Sequence, residues 1–254
     1  MKKIYGILVL AMLALCSTIV VSCGDEEIEP TTGGTTPPSE DGSTDDKDED
    51  VTHDYVDLGL PSGTLWATMN VGASKPEEYG NYFAWGETEP YDENGKTTFN
   101  WSTYKWCNGS YTTLTKYNTR SGYGTVDNKT ELDLEDDAAY VNWGSNWRMP
   151  SKEQFDELIN SSYTTTEWTT TVNGVNGRLI TSKTNGNSIF LPAAGYRYDA
   201  SLDYAGSYGD YWSRTLYTDY PNRAWSLDFS SNVVGTYYSS RYSGRSVRPV
   251  RLPE

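Results

Sequence analysis

Apolar positions fall into three regimes along this chain. Ile4 to Val21 form an almost unbroken apolar run, residues 24–50 hold almost no apolar residue, and from His53 onward apolar and polar residues alternate over short stretches. Period-two alternation bounded by turn residues marks half-buried strands. Tyr55 to Leu60, Thr64 to Val71, Trp168 to Val172, Arg178 to Ser182 and Ser188 to Leu191 read as strands. So do Tyr211 to Tyr217, Ala224 to Phe229 and Ser246 to Leu252. In Trp225-Ser226-Leu227-Asp228-Phe229 the apolar residues predict an inward face, and Trp212 is expected inside as well. Three Asn-Gly pairs, at 173–174, 176–177 and 185–186, suit turns that need positive φ and predict hairpins or tight loops.

Two segments break the β pattern. Leu132 to Trp143 carries Leu134, Ala138 and Val141 at spacings of four and three, and Ser151 to Ile159 carries Phe155, Leu158 and Ile159 at i, i+3, i+4. Ser151 followed by Gln154 forms a capping-box signature, and Pro150 just before it fixes the entry. Many short strands with two helices in the middle third predict an α+β fold. Trp143, Trp147 and Phe155 are expected in the core, and Arg148 is expected to bond carbonyls or a carboxylate behind the helix start.

Charge divides the chain further. Residues 24–50 hold eleven acidic residues, one Lys and no aromatic, a net −10 of the chain's −15. Such a segment has nothing to bury and is expected to be a disordered stalk of order 30 Å. The leader lysines add +2, so residues 51–254 carry −7, a balance that gives no reason to expect nucleic acid. The expected organisation is a leader at 1–22, an acidic stalk at 23–50 and one domain at 51–254, long enough to bury a core without staples.

The leader has Lys2 and Lys3, the apolar run and then Val20-Val21-Ser22-Cys23. This arrangement reads as an export signal. Cys23 in this position resembles the lipobox cysteine of bacterial lipoproteins, which implies lipid attachment there. The acidic cluster Gly24-Asp25-Glu26-Glu27 resembles the surface-export signal of Bacteroidetes lipoproteins. An uncut membrane anchor is the alternative, since about 20 apolar residues span a bilayer, but the flank is acidic and holds no positive stop. The expectation is a protein lipid-anchored at the outer membrane, exposed at the cell surface, and touching the membrane only through that anchor.

Catalytic chemistry is sparse. The only His is His53, so a Ser-His or Cys-His nucleophile system lacks its base. Beyond the leader and Cys23 only Cys107 remains, and no His/Cys cluster could hold zinc. Cys107 reads as a small buried apolar residue. Glu87/Glu89, Asp92/Glu93 and Asp136/Asp137 are carboxylate pairs, and they read as solvated surface. No enzyme activity, cofactor or metal is expected.

Several blocks resemble one domain family in order. Tyr55-Val56-Asp57-Leu58-Gly59-Leu60-Pro61-Ser62-Gly63-Thr64-Leu65-Trp66-Ala67 is similar to its opening strands. Trp147-Arg148-Met149-Pro150-Ser151-Lys152-Glu153-Gln154-Phe155-Asp156-Glu157-Leu158 resembles its helix-entry segment. Leu191-Pro192-Ala193-Ala194-Gly195-Tyr196-Arg197, Tyr211-Trp212-Ser213 and Gly244-Arg245-Ser246-Val247-Arg248-Pro249-Val250-Arg251 resemble its middle and end. The family is the Fibrobacter succinogenes major paralogous domain, distantly related to formylglycine-generating, sulfatase-modifying domains. The resemblance implies a C-type lectin-like fold with two helices and terminal strands that pair. Sulfatase-modifying relatives rely on a cysteine pair, which this domain lacks. Glu89-Pro90-Tyr91 and Trp225-Ser226-Leu227-Asp228 depart from the calcium-dependent sugar motifs of C-type lectins.

Between Tyr196 and Tyr242 the chain is dense in Tyr, with four Arg, two Trp and no Lys. Tyr and Arg among Ser, Gly and Asn are the chemistry of recognition surfaces. Loop residues on a rigid scaffold are the better candidates, namely Tyr217, Tyr220, Arg223, Tyr237, Tyr238, Arg241 and Tyr242, and Arg214 is a candidate beside them. The expected function is a non-catalytic binding or adhesion module for a glycan or protein on another surface. The alternatives are a hypervariable display protein, since the bias resembles segments edited by diversity-generating retroelements, and an architectural surface or fimbria-associated subunit.

Overall fold

The computed structural model describes residues 53–252, so the leader, the acidic stalk and Cys23 lie outside the described residues. No helix among the described residues is long and apolar enough to cross a membrane. The fold is mixed α+β, built of small antiparallel sheets and two short helices.

The ends of the domain meet in the first sheet. β1 (Tyr55–Asp57) and β11 (Val250–Arg251) flank β2 (Leu65–Ala67), with Val56 opposite Trp66 and Trp66 opposite Val250. Hydrogen bonds from Ala67 N to Pro249 O and Val71 N to Val247 O extend this pairing past the ladder. The terminal pairing therefore follows the sequence expectation, with shorter strands. Gly59 at φ +59° and Pro61 end β1 early, because neither suits a continuing ladder.

β3 (Thr164–Val172), β4 (Val175–Ser182) and β5 (Ser188–Pro192) form a meander. Asn173 and Gly174 both have positive φ, as a two-residue hairpin turn requires. Asn176-Gly177 is not a turn, contrary to expectation: both residues lie inside β4. A Cβ on Gly177 would sit 2.4 Å from Leu191 O and 2.5 Å from the Phe190 ring. Close approach explains that glycine, and a turn does not.

α2 (Lys152–Leu158) starts where its signature placed it. Ser151 N donates to Gln154 Oε1 and Gln154 N donates to Ser151 Oγ, so both halves of the capping box are present. Phe155 and Leu158 are buried. The first helix shows a phase error. A single 3-10 turn at Leu134–Asp136 precedes α1 (Ala138–Trp143), and its buried residues are Ala138, Ala139 and Trp143, while Leu134 and Val141 face solvent.

The carboxylates Asp136 and Asp137 are also corrections, because both are buried. Asp137 caps α1 by accepting from Ala139 N and Tyr140 N, and it accepts from Met149 N as well. Asp136 accepts from Lys116 Nζ and the Tyr117 hydroxyl. Glu87 is buried too, paired with Lys96. Each acid is compensated by donors that a sequence scan cannot place.

Two apolar clusters carry the core. One gathers Phe83, Trp85, Tyr117, Trp143, Trp147 and Trp212, and the other gathers Leu58, Trp66, Phe155, Ile180, Leu191, Tyr211 and Leu227. Arg148 donates to the carbonyls of Ser145 and Trp147, as expected of it. Cys107 is half-buried, its thiol donates to Trp101 O, and burial pushes its pKa up.

Candidate functional site

The candidate site is organised by a third sheet, in the order β10 (Val234–Ser240), β9 (Arg223–Phe229), β8 (Gly209–Leu216). β10 is a strand the alternation did not predict, and it carries Tyr237 and Tyr238, so these two residues are not loop residues. Its register sets Tyr238 opposite Trp225 and Tyr237 opposite Ser226. Successive side chains point to opposite faces of a strand, so the two tyrosines serve different faces.

One face packs on α2. Thr236 donates to Asp156 and the Lys152 ammonium lies 4.8 Å from the centre of a Trp225 ring. At its margin Tyr217 stacks on Tyr238 at 4.1 Å and 8°, with Trp225 edge-on to Tyr217 at 5.0 Å. Tyr220 stacks on Tyr217 at 6.0 Å, and Arg223 lies 5.2 Å from the Tyr238 ring. Tyr217, Tyr220, Arg223 and Tyr238 thus form one rim, whose rings spend much of their face area on each other. Burial and the neighbouring Tyr238 raise the Tyr217 pKa.

The other predicted residues do not join this rim. Arg241 is fully buried, which removes it from any ligand surface. Its guanidinium donates to the Tyr104 hydroxyl and to the carbonyls of Tyr117, Pro221 and Lys116. Arg214 is half-buried and donates to Met149 O and Gln154 Oε1, which ties it to the start of α2. Tyr242 packs edge-on against Trp101 at 4.9 Å and Tyr198 at 5.8 Å, and burial pushes its pKa up to about 12.

The opposite face of the sheet holds a concave site that sequence reasoning missed. A pocket of about 490 Å³ has walls of Tyr196, Tyr204, Tyr208 and Tyr237 over Asp210, Asp228 and Arg245. β6 (Tyr196–Tyr198) and the segment after β7 (Ser201–Asp203) supply the first wall, in which Tyr204 lies 5.8 Å from Tyr196 and 5.2 Å from Tyr208. Tyr204 and Tyr208 are largely exposed, and Tyr204 holds φ +57°. β10 supplies Tyr237, and Gly235 opposite Asp228 leaves that carboxylate uncovered by a side chain on the edge strand.

The floor is an unusual cross-strand pair. Asp210 and Asp228 stand directly opposite in the β8–β9 register. Like charges so placed destabilise a sheet unless something bridges them. Arg245 does, with Nη1 at 2.8 Å from Asp210 and 2.9 Å from Asp228, and Nη2 donating to Ser239 Oγ. Burial first, and then the neighbouring Asp228, push the Asp210 pKa up to about 6 against the opposing pull of Arg245. Asp210 Oδ2 and Arg245 Nε are buried without a hydrogen-bond partner. A carboxylate pair bridged on one side by a single guanidinium is suited to holding a polar group.

Residues 167–250 match a family described as a domain of unknown function (DUF8237). The matched segment contains every residue of the pocket and of the rim. No curated protein and no solved structure matches the chain.

Proposed function

We propose that this protein is a non-catalytic binding module, held at the cell surface by a lipid on Cys23 and engaging a glycan or protein in the tyrosine-walled pocket. The observation that carries the reading is the floor of that pocket. Three charged side chains, two of them almost wholly buried, converge under exposed tyrosines in a cavity of about 490 Å³. Ligand sites are typically concave, largely apolar and fitted with a few fixed polar groups. In this reading the scaffold is a C-type lectin-like domain of the Fibrobacter succinogenes major paralogous type. The two helices, the paired termini and the small antiparallel sheets are compatible with that assignment.

The test is a pair of arrays, one of glycans and one of envelope and host-surface proteins, probed with the full chain in detergent and with the variants Tyr204→Asn and Tyr237→Thr. Asn tolerates the left-handed backbone at position 204, and Thr suits an edge strand. The reading expects hits that both variants lose while keeping the wild-type melting temperature. Blank arrays, or hits that both variants retain, would remove its support.

A further inference from the structure

We propose that a second cavity, beside the segment 147–150 that leads into α2, binds a tetrahedral oxyanion, a phosphate or sulfate group, between Arg148 and Arg214. This cavity of about 530 Å³ shares no residue with the tyrosine-walled pocket, so the proposal stands independently of that site. Arg148, Arg214 and Arg251 line it, and Glu131 is the one acid among its lining residues. The cavity thus carries a net +2 in a domain that carries −7. A concave positive centre on an acidic domain concentrates anions.

The two guanidiniums are neighbours, and each is fixed at one end. Arg148 Nη1 donates to Trp147 O at 2.7 Å and to Ser145 O at 3.3 Å. Arg214 Nη1 donates to Met149 O at 2.9 Å and to Gln154 Oε1 at 3.0 Å. Trp147 and Met149 flank Arg148, whose backbone pairs with Val250 in an antiparallel bridge. Alternate carbonyls of an extended segment share one edge and lie about 7 Å apart, at roughly 3.3 Å per residue. The other ends of the two side chains stay open. Neither Nη2 makes a hydrogen bond among the described residues, and neither is shut off from solvent. Arg148 Nε is open as well, and the guanidinium lies flat over the Tyr140 ring, 4.2 Å from its centre, which leaves its in-plane N–H groups available. On Arg214 the corresponding Nε donates to Glu131 at 3.2 Å. Arg241 shows the contrast: it spends Nε and both Nη groups on four acceptors in the core.

These donors select the ligand class. A carboxylate has two oxygens, and the open Nε–Nη2 edge of Arg148 alone would satisfy it. A phosphate or sulfate group adds a third oxygen off that plane, which can accept from Arg214 Nη2 at the same time. Its charge also answers the positive excess, which a neutral ligand would leave unbalanced. Glu131 competes for Arg214 and repels the anion, so it sets the affinity from the opposite side.

The experiment uses the full chain in non-ionic detergent at low ionic strength, where screening is weak. The probes are phenyl phosphate, phenyl sulfate and benzoate. Saturation-transfer NMR detects binding and calorimetric titration ranks it. At least one of the two esters is expected to bind more tightly than benzoate. Arg148→Lys and Arg214→Lys keep the charge but lose the planar fork, and each is expected to weaken that ester about tenfold. Glu131 is exposed, and Glu131→Ala is expected to tighten binding about fivefold, a gain that a misfolded variant cannot produce. Binding of phenyl phosphate alone assigns a phosphate ligand, binding of phenyl sulfate alone a sulfate ligand, and binding of both the shared oxyanion chemistry. Silence from both esters, benzoate bound as tightly as either, or an affinity that all three variants leave unchanged overturns the proposal.

Discussion

Arg241 is the sharpest place to separate scaffold from site, because its sequence context and its environment say opposite things. Replacing it with Met keeps a long flexible side chain among Trp85, Tyr104 and Tyr117, whose rings lie 4.8, 5.3 and 5.8 Å from the guanidinium. The change removes every donor that Arg241 gives to Tyr117 O, Pro221 O and Lys116 O. Tyr104 still donates to Trp85 O, so its hydroxyl keeps one bond. Three carbonyls losing a donor at roughly 1–3 kcal/mol each, less the desolvation the guanidinium no longer suffers, leave a net loss of about 3–5 kcal/mol. For a domain of this size each 1 kcal/mol moves the melting temperature by roughly 2–4 °C, so Arg241→Met should melt at least about 6 °C lower. Scanning calorimetry measures the shift, and titration of an array ligand against the folded variant measures binding. The expected pair is a large thermal loss with affinity kept. A variant that melts within about 2 °C of wild type and loses its ligand would refute the structural role.

Further outcomes follow from other elements. Asp210 holds its proton up to about pH 6 when folded but releases it near 3.8 when unfolded, so between those values the folded state binds more protons. Its contribution therefore makes stability fall as pH rises through that window, by on the order of 3 kcal/mol at 1.36 kcal/mol per pK unit. Urea unfolding of wild type and Asp210→Asn from pH 4 to 7 should show a difference that grows with this slope, and parallel curves would count against the raised pKa of the buried Asp210. Ser151→Ala should cost about 1 kcal/mol through loss of its half of the capping box, read by chemical denaturation, with pocket binding unchanged. Cys23→Ala should abolish incorporation of a fatty-acid label and release the protein from the membrane fraction. Undiminished labelling would move the anchor elsewhere.

The legible parts of the fold were those where one local signal sufficed. Ser151, Gln154, Phe155 and Leu158 declare α2 because the cap and the apolar stripe lie within one short stretch. The pairing of the terminal strands was legible through the resemblance of whole blocks. β10 was not legible, because Val234-Gly235-Thr236-Tyr237-Tyr238-Ser239-Ser240 alternates on neither face. It is an edge strand, with neither face fully covered. That one missing strand hid the site, since Tyr237 reaches the pocket only through its register with Ser226. β9 misled differently: Ser226 is as buried as Leu227, because both faces of this central strand are covered. Asp228 then read as a solvated position when it is half of a carboxylate pair. Arg241 looked like rim chemistry because a sequence does not show the carbonyls that a chain will fold around a guanidinium.

The most direct measurement is a crystal structure of the full chain soaked with the array ligand that binds most tightly. Ligand density within hydrogen-bonding reach of Asp228 and against the ring of Tyr204 is the predicted result. Density on the Tyr217–Tyr238 rim, with the pocket holding only solvent, would contradict the account.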